Sequence, residues 1–248
     1  MMLLTQSMFI HANPFRLTCR ILVPHLSSIK KQSLRMTSTN PEKSIKRCAW
    51  VTNASPNEIL YHDTEWCRLP IDSKHHSDSY LFELLTLEGA QAGLSWSTVL
   101  SKRENYRKLY HSFDLDKILL MNEDAFIDIQ GVIRHKGKLM SVLGNAKVVK
   151  EIQHEFGSFS EYIWSFFKIP YTPIVTRFND LKQYPTTSNE SILLSKDLKK
   201  RGAKFVGPTI MYAFLQATGF VDDHQIDCFL AQSNTDHDVK RESKKRKV

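Results

Sequence analysis

The stretch from Leu81 to Trp96 reads LFELLTLEGAQAGLSW, and one of its residues breaks the pattern set by the others. Its leucines recur at the three-and-four spacing of an amphipathic helix, and Glu88 is the next position on that apolar face. A buried carboxylate is costly unless it is paired, so Glu88 faces either an arginine from elsewhere or a ligand that supplies positive charge and hydrogen-bond donors. Trp96 has a broad face that suits stacking on a planar ring. The stretch therefore predicts the wall of a pocket for a flat, electron-poor ligand, and an arginine-paired glutamate is the alternative.

The bulk composition bounds the class of protein. The chain has 248 residues, of which 42% are hydrophobic and 24% are charged, as in ordinary globular proteins. No apolar run reaches the length of about 18 residues that a membrane span needs. Four cysteines are too few and too scattered for a secreted disulfide scaffold, which favours free or metal-bound thiols in a reducing compartment; they are Cys19, Cys48, Cys67 and Cys228.

The net charge of +8 is concentrated at the two ends of the chain. Residues 1–41 contain five basic residues and no acidic one, and residues 240–248 contain six basic residues and one glutamate. Subtracting these two contributions of +5 from the total leaves about −2 for the middle, so the folded part is not basic overall. Any contact with nucleic acid there has to come from a local patch of charge.

Both ends have the composition of targeting signals. The acid-free first segment, with spaced arginines among Leu, Phe, Ser and Thr, is typical of a mitochondrial transit peptide, and a disordered tail is the alternative. The basic run over residues 240–247 resembles a nuclear import signal, although a solvated tail has a similar composition. We expect a targeting segment over 1–43, a folded domain over 44–232 and a basic disordered tail over 233–248. The nucleus is the expected location, with the mitochondrion as the second.

The middle of the chain is predicted to be mostly helical. A helix is expected from about Thr98 to Ser112, with Arg103 on its polar face. Another is expected to begin at Pro208 and to stop before Gly219, because proline suits the first turn of a helix and glycine often follows its end.

Residues 116–157 form a second organised unit. Asn122–Gln130 has the cap and spacing of a short helix, Gly131–Arg134 indicates a tight turn, and a longer apolar-striped helix ends before Gly157. A short helix, a Gly-Val turn and a second helix make the helix-hairpin-helix pattern. Its backbone N–H groups and helix N-terminus can grip a DNA phosphate without reading the sequence. An ordinary pair of antiparallel helices is the alternative.

Basic residues cluster beside this turn and, separately, around Gly202. Arg134, His135, Lys136 and Lys138 add positive charge beside the turn. A second basic patch surrounds Gly202, where it can either clamp phosphates or form a solvated face. The expected DNA-binding residues are Gly131, Val132, Ile133, Arg134, Lys136 and Lys204.

A set of metal-ligating side chains joins the two ends of the folded region. His224 and Cys228 lie four residues apart, so they share one face if a helical turn begins just before them. Cys48 and His62 supply a second thiolate and a second imidazole, which completes the Cys₂His₂ set that tetrahedral zinc prefers. The alternative for each half is a buried cysteine and a satisfied histidine.

Several blocks of the sequence occur in one order over about residues 46–230. They are RCAWV at 47–51, YHDTEW at 61–66, LEGAQAGLSW at 87–96, GVIRHKGK at 131–138, KKRGAKFVG at 199–207, and Asp223-His224 with Cys228. With these blocks in this order, the chain resembles the bacterial 3-methyladenine DNA glycosylase I family.

The resemblance implies an all-α helix-hairpin-helix glycosylase, a monomer that acts on double-stranded DNA containing alkylated bases. Such an enzyme flips out 3-methyladenine and excises it by hydrolysis in base excision repair. By the same resemblance, one structural Zn²⁺ per chain is held by Cys48, His62, His224 and Cys228. Glu88 is then the catalytic acidic residue of the base pocket, and its aromatic base-binding neighbours are Trp50, Tyr61 and Trp96.

The chain departs from the family pattern at two positions. Glu58 stands where the family has a pocket tyrosine, and Cys67 stands where it has a small residue. Many helix-hairpin-helix glycosylases carry an aspartate soon after the hairpin that activates water or a lysine, whereas the first aspartate after Arg134 here is Asp180. This difference favours plain hydrolysis without strand cleavage. The alternative function is a catalytically silent, zinc-stapled DNA-binding protein, and four protein ligands disfavour a catalytic zinc because they leave no position for water.

Overall fold

The computed structural model of the chain describes residues 45–70, 76–126, 129–168 and 172–231. The predicted targeting segment and the basic tail lie outside these residues, so the two locations and the domain boundaries stay predictions. Within the described ranges, no helix is both long enough and apolar enough to cross a bilayer.

The described part of the chain is built from helices. The α-helices are α1 (Pro56–Thr64), α2 (Asp78–Gln91), α3 (Trp96–Leu100), α4 (Arg103–Leu109), α5 (Leu115–Leu119), α6 (Lys136–Phe156), α7 (Phe159–Trp164), α8 (Asn189–Lys200) and α9 (Pro208–Ala217). Short 3₁₀ helices cover Ala49–Val51, His111–Phe113, Glu123–Phe126 and Leu181–Gln183. Two short strands, β1 (Ile174–Val175) and β2 (Val221–Asp222), pair in parallel. The all-α class predicted from the sequence is confirmed, as is the helix expected after residue 207.

The helix α2 lies at the centre of the domain. All residues from 81 to 90 are buried, and α2 packs against α3, α6, α7 and α9. A helix covered on every side needs apolar residues all around it, which the leucines and Phe82 of this stretch supply. Ser77 starts the helix, because its hydroxyl accepts a hydrogen bond from the N–H of Tyr80 at 3.3 Å. The two carboxylates of the stretch, Glu83 and Glu88, are therefore buried with their apolar neighbours.

The single helix predicted over Thr98–Ser112 is wrong in two respects. The chain forms two shorter helices, α3 and α4, and Ser112 adopts a left-handed backbone conformation with φ of 55°. Arg103, expected on a polar face, is buried against the carboxylates of Glu83 and Glu65, the latter at 2.8 Å. These carboxylates come from other elements, so the local sequence pattern carries no trace of them.

The unit predicted over 116–157 is confirmed in its long second helix. The helix α6 ends at Gly157, whose φ of 85° is a conformation that glycine adopts without strain. The short helix predicted over Asn122–Gln130 is wrong in extent, because the structure shows one 3₁₀ turn over Glu123–Phe126. Residues 127 and 128 lie outside the described ranges.

Candidate active site

Glu88 lies near the end of α2 and is only 5% exposed. In the described part of the chain, no group donates a hydrogen bond to its carboxyl group or pairs with it. Burial raises the pKa of this carboxyl group from 4.5 to about 8. At neutral pH Glu88 is therefore mainly protonated, and a positively charged ligand beside it would favour loss of that proton.

The arginine-paired glutamate that the sequence left open is Glu83, on the same helix. Arg103 donates to Glu83 Oε1, and the Nε of Arg107 donates to the same oxygen at 2.9 Å. No arginine among the described residues meets Glu88. Among the described residues the ion-pair interpretation of Glu88 therefore finds no partner, and the ligand-facing role of Glu88 stays a prediction.

Tyr61 and Trp96 form an aromatic wall beside Glu88. Tyr61 is buried on α1, Trp96 is half-buried at the start of α3, and their ring centroids lie 5.2 Å apart at an angle of 52°. Burial, and then the neighbouring charge of Glu88, raise the pKa of the Tyr61 hydroxyl well above its usual range. This charge effect means that Tyr61 lies within electrostatic range of Glu88.

The polar atoms of this wall are unsatisfied. Neither the Tyr61 hydroxyl nor the Trp96 indole N–H has a hydrogen-bond partner in the part of the chain that the structure describes. Buried polar groups are nearly always paired, and each one left unpaired costs about 1–3 kcal/mol. An unpaired acceptor on Glu88 and two unpaired donors on aromatic side chains fit a planar ligand that has both donors and acceptors on its edge.

Trp50, the third predicted aromatic residue of the pocket, packs in a different place. Its ring lies edge-on to Trp66, with centroids 5.1 Å apart, and to His62, with centroids 5.5 Å apart. Its ring contacts within the described ranges do not include Tyr61 or Trp96, and its buried indole N–H has no partner there. Trp50 thus covers a predicted metal ligand, and its role in base binding stays a prediction.

Three of the four predicted metal ligands form one buried cluster. The ligand atoms of Cys48, His62 and Cys228 all lie within 4.8 Å of one another, with Cys228 Sγ 3.6 Å from His62 Nε2. The ring of the fourth, His224, has its centroid 5.4 Å from that of His62. The Nε2 atom of His224 is buried, and no described residue is bonded to it. Two thiols and two imidazole nitrogens, one of them unsatisfied, are a donor set that fits tetrahedral zinc.

Two carboxylates orient the histidines of this cluster. Nδ1 of His62 lies 2.8 Å from Asp63, and Nδ1 of His224 lies 2.7 Å from Asp222. Such a contact fixes the ring and leaves Nε2 as the free ligand atom. Sequence reasoning missed both carboxylates, although an acidic residue within two positions of each histidine was the available signal.

Cys67 lies beside this cluster. Its thiol is within 4.8 Å of ligand atoms on Asp222 and His224, and burial raises the pKa of the thiol well above its usual range. Asp222 is already bonded to Arg177 at 2.9 Å and to His224. The group around Cys67 is therefore the weaker of the two candidates for a metal.

The predicted DNA-binding turn precedes α6. Gly131 has φ of 80°, and a Cβ there would lie 2.6 Å from the side-chain nitrogen of Asn105, so the turn needs glycine. Arg134 is exposed, and Lys136 is exposed with its ammonium 3.0 Å from Glu123. The two apolar residues of the turn pack towards the core; they are Val132 and Ile133.

Lys204 is held beside the same turn by a buried amide. Asn145 on α6 accepts a hydrogen bond from the N–H of Lys204 at 2.9 Å and donates one to its carbonyl at 3.0 Å. The next residue, Phe205, packs edge-on against His135 with ring centroids 6.0 Å apart. A Cβ at Gly89 would lie 3.3 Å from the Cβ and the carbonyl oxygen of Phe205. The structure thus brings the Lys204 loop, the turn and the end of α2 together; sequence reasoning missed Asn145, whose amide in the buried stripe of α6 was the available signal.

Residues 50–231 contain all of the predicted base-pocket and DNA-binding residues, and they match the family model for methyladenine glycosylases. The chain belongs to the methyladenine glycosylase family. Of the four predicted metal ligands, only Cys48 precedes the matched segment.

Relatives of this methyladenine glycosylase chain match it over most of their own length. The Escherichia coli protein named DNA-3-methyladenine glycosylase 1 is 45% identical over 187 residues, which are 74% of this chain and 96% of that protein. A crystal structure of 3-methyladenine DNA glycosylase I is 43% identical, with a TM-score of 0.68 over 74% of this chain and 98% of the other. A structure of the Staphylococcus aureus 3-methyladenine DNA glycosylase I, which describes the structural basis of its 3-methyladenine recognition, is 31% identical to this chain. Its TM-score is 0.68, over 75% of this chain and 96% of the other.

Glu58, one of the two positions where we expect a departure from the family pattern, caps a helix. Its carboxylate accepts hydrogen bonds from the backbone N–H of Ser55 at 3.0 Å and from the Ser55 hydroxyl at 2.8 Å, at the start of α1. That hydroxyl lies 3.4 Å from the hydroxyl of Ser97, the neighbour of Trp96. Glu58 therefore helps to join α1 to α3, the two helices that carry the aromatic wall.

Proposed function

We propose that this member of the methyladenine glycosylase family excises 3-methyladenine from alkylated DNA by hydrolysis, in base excision repair. The observation that carries the proposal is the buried carboxyl group of Glu88, which has no partner among the described residues and lies within electrostatic range of Tyr61, the ring partner of Trp96. Relatives named as 3-methyladenine DNA glycosylases support it, because they match this chain over nearly all of their length.

The substrate supplies the charge that the pocket lacks. An adenine methylated at N3 in DNA carries a positive charge, and the same charge weakens its glycosidic bond. Water adds to C1′ of the sugar, and the bond from C1′ to the base breaks. Its electron pair neutralises the departing base, and the water loses a proton to solvent. No residue has to protonate the leaving group, so a pocket that binds the cation is sufficient.

Glu88 would discriminate the damaged base by its charge. Ionising this carboxyl group in the empty pocket is unfavourable, as its pKa of about 8 shows. A cationic ring stacked on Trp96 offsets that cost, whereas neutral adenine does not. Every flipped base also pays roughly a few kcal/mol for leaving the stack, and alkylation damage reduces that cost. The pocket therefore selects 3-methyladenine over adenine.

Double-stranded DNA would be gripped by a helix-hairpin-helix contact. The turn Gly131–Arg134 offers backbone N–H groups and the N-terminus of α6 to one phosphate, and Lys136 and Lys204 add positive charge on either side. Such a grip does not read sequence, which suits an enzyme whose lesion occurs in any sequence. One chain carries the whole site, so we propose that the protein acts as a monomer.

The reaction would stop at base release without strand cleavage. Asp180, the first aspartate after the hairpin, is exposed, and its carboxylate caps the short helix Leu181–Gln183 by accepting a hydrogen bond from the N–H of Lys182 at 2.9 Å. It is therefore occupied in a structural contact. Hydrolysis of a bond that is already labile needs no such aspartate.

The base-release assay tests this function. We expect the wild-type protein to release free 3-methyladenine from methylated duplex DNA, and Glu88→Gln to slow release by about 100-fold, since a buried charge partner is lost. Glu104→Gln, on an exposed carboxylate of α4, is the matched control and should release base at the wild-type rate. Retained DNA binding with no release at any protein concentration would instead support the alternative, a catalytically silent DNA-binding protein. The unpaired Glu88 disfavours that alternative, because a phosphate grip needs no buried carboxylate.

The residues Cys48, His62, His224 and Cys228 would hold one structural Zn²⁺. When bound, the metal ties the segment before α1 to the last residues of the domain, and it supplies no catalytic water because all four positions are filled by protein. We expect one zinc per purified chain, lost in Cys228→Ser and retained in Cys67→Ser. Chelation should lower the melting temperature without changing how base release by the folded protein depends on pH. Full zinc occupancy in Cys228→Ser would contradict this ligand set.

The two ends of the chain would direct the protein to the nucleus and to the mitochondrion. The support is their composition alone: an acid-free stretch over 1–41 and a basic run within 233–248. Fluorescent fusions of the full chain and of variants lacking either segment test this. Unchanged nuclear signal after removal of the basic run would contradict its role.

A further inference from the structure

The ammonium of Lys138 is bound to the end of α2. Lys138 lies in the first turn of α6, where its N–H donates to the His135 side chain at 3.1 Å. Its Nζ donates to the carbonyl of Ala90 at 2.9 Å and to the carbonyl of Ala92 at 2.6 Å. The last carbonyls of a helix have no partners within the helix, and a lysine at that end also complements the helix dipole. A side chain of α6 therefore caps the C-terminal end of α2, the helix that carries Glu88.

The segment that Lys138 holds is the connection between the two faces of the base pocket. Only residues 92–95 separate α2, which carries Glu88, from α3, which begins with Trp96. All four of these residues are exposed, so little packing fixes their path. Gly93 has φ of 80°, which makes the connection turn sharply. The hydrogen bonds from Lys138 therefore fix where this connection leaves α2.

The same hydrogen bonds argue against the role that the sequence suggests for Lys138. Its position beside the hairpin turn groups it with residues that would neutralise a phosphate. Two of its three N–H donors, however, are already used by backbone carbonyls, and the side chain is partly covered. Lys136, by contrast, has a side chain that is 77% exposed.

We propose that Lys138 is a positioning residue for the base pocket and not a phosphate contact. It fixes the separation of Glu88 and Trp96 by holding the carbonyls between them. The inference rests on the proposed function, since 3-methyladenine is the ligand that the pocket would grip. In this proposal α6, whose N-terminus would contact the DNA phosphate, also holds the base pocket in place.

Two measurements on Lys138→Met and Lys136→Met separate these roles. The first is affinity for free 3-methyladenine, followed by tryptophan fluorescence, and the second is affinity for undamaged duplex DNA as a function of salt. We expect Lys138→Met to bind 3-methyladenine about tenfold more weakly with an unchanged salt dependence, because small misplacements of a binding group are costly. Lys136→Met should keep its affinity for 3-methyladenine and reduce the slope of log affinity against log salt by about 1, as the loss of one phosphate contact does.

Lys138→Arg keeps the test decisive if the methionine variant does not fold. Arginine retains the charge that a phosphate contact needs, but its planar fork cannot reach both carbonyls as the ammonium does. Weaker binding of 3-methyladenine by Lys138→Arg would support positioning. Full affinity for 3-methyladenine in the folded Lys138 variants, or a salt slope reduced by about 1 in Lys138→Met, would overturn the inference alone. A wild-type protein that releases no 3-methyladenine from methylated duplex DNA would overturn the proposed function together with it.

Discussion

Two glutamates of α2 are buried to the same degree and have opposite surroundings. Glu83 is 6% exposed and is met by the guanidinium groups of Arg103 and Arg107. Glu88 is 5% exposed and has no partner in the described part of the chain, and this burial raises its pKa to about 8. Burial alone therefore does not mark a functional carboxylate. The distinguishing property is whether the fold itself supplies the countercharge or leaves that to a ligand.

Removing the countercharge of Glu83 should have the largest effect. In Arg103→Met, Glu83 and Glu65 lose a buried partner, and we expect the free energy of unfolding to fall by about 4 kcal/mol. Urea denaturation measures this. Lys102→Met, one residue away, is the matched control and should change stability by less than about 0.5 kcal/mol. A similarly small change in Arg103→Met would remove the contrast between the two glutamates.

The pH dependence of stability should reveal the unpaired carboxylate. Folding raises the pKa of Glu88 from 4.5 to about 8, so its contribution to stability is complete below pH 4.5 and is lost as the pH rises to about 8. We expect the stability of the wild type relative to Glu88→Gln to fall by about 3 kcal/mol between pH 5 and pH 8. Urea denaturation at several pH values gives both curves. If the two curves run parallel, Glu88 ionises normally in the folded protein and the comparison fails.

Two buried tyrosine hydroxyls, one paired and one unpaired, should differ in their effect on stability as the two glutamates do, but by a smaller free energy. The Tyr61 hydroxyl is buried with no described partner, whereas the Tyr212 hydroxyl donates to Asp223 at 2.6 Å. Tyr61→Phe should leave stability unchanged or raise it by less than about 1 kcal/mol, and Tyr212→Phe should lower it by about 2 kcal/mol. Tyr61→Phe should also weaken 3-methyladenine binding several-fold. Thermal and urea denaturation compare the two variants, and equal losses of stability would show that Tyr61 is satisfied within the fold.

Sequence reasoning found the features that depend on local spacing. Helical periodicity placed Glu88 inside, and a glycine marked the end of α6 at Gly157. Residue chemistry alone selected Cys48 and Cys228, which lie at opposite ends of the domain and still meet in one cluster. Each of these follows from side-chain type or from a repeat within one element.

The wrong assignments of Arg103 and Lys138 depend on which elements touch. Arg103 was placed on a polar face because the local pattern cannot show that Glu83 and Glu65 reach it from elsewhere. Lys138 was grouped with phosphate-binding residues because nothing in its own helix reveals the carbonyls at the end of α2. Long polar side chains find partners in three dimensions, so their roles are the least visible in a sequence.

The close contact between Gly89 and Phe205 joins α2 to the loop that carries Lys204. A Cβ at position 89 would lie 3.3 Å from Phe205, so a larger residue there would push apart the helix that carries Glu88 and the loop that carries Lys204. If Lys204 holds the DNA strand and Glu88 receives the base, we expect the nucleic acid to deform between them. A site that bends or unstacks readily would then be inspected at the lower cost.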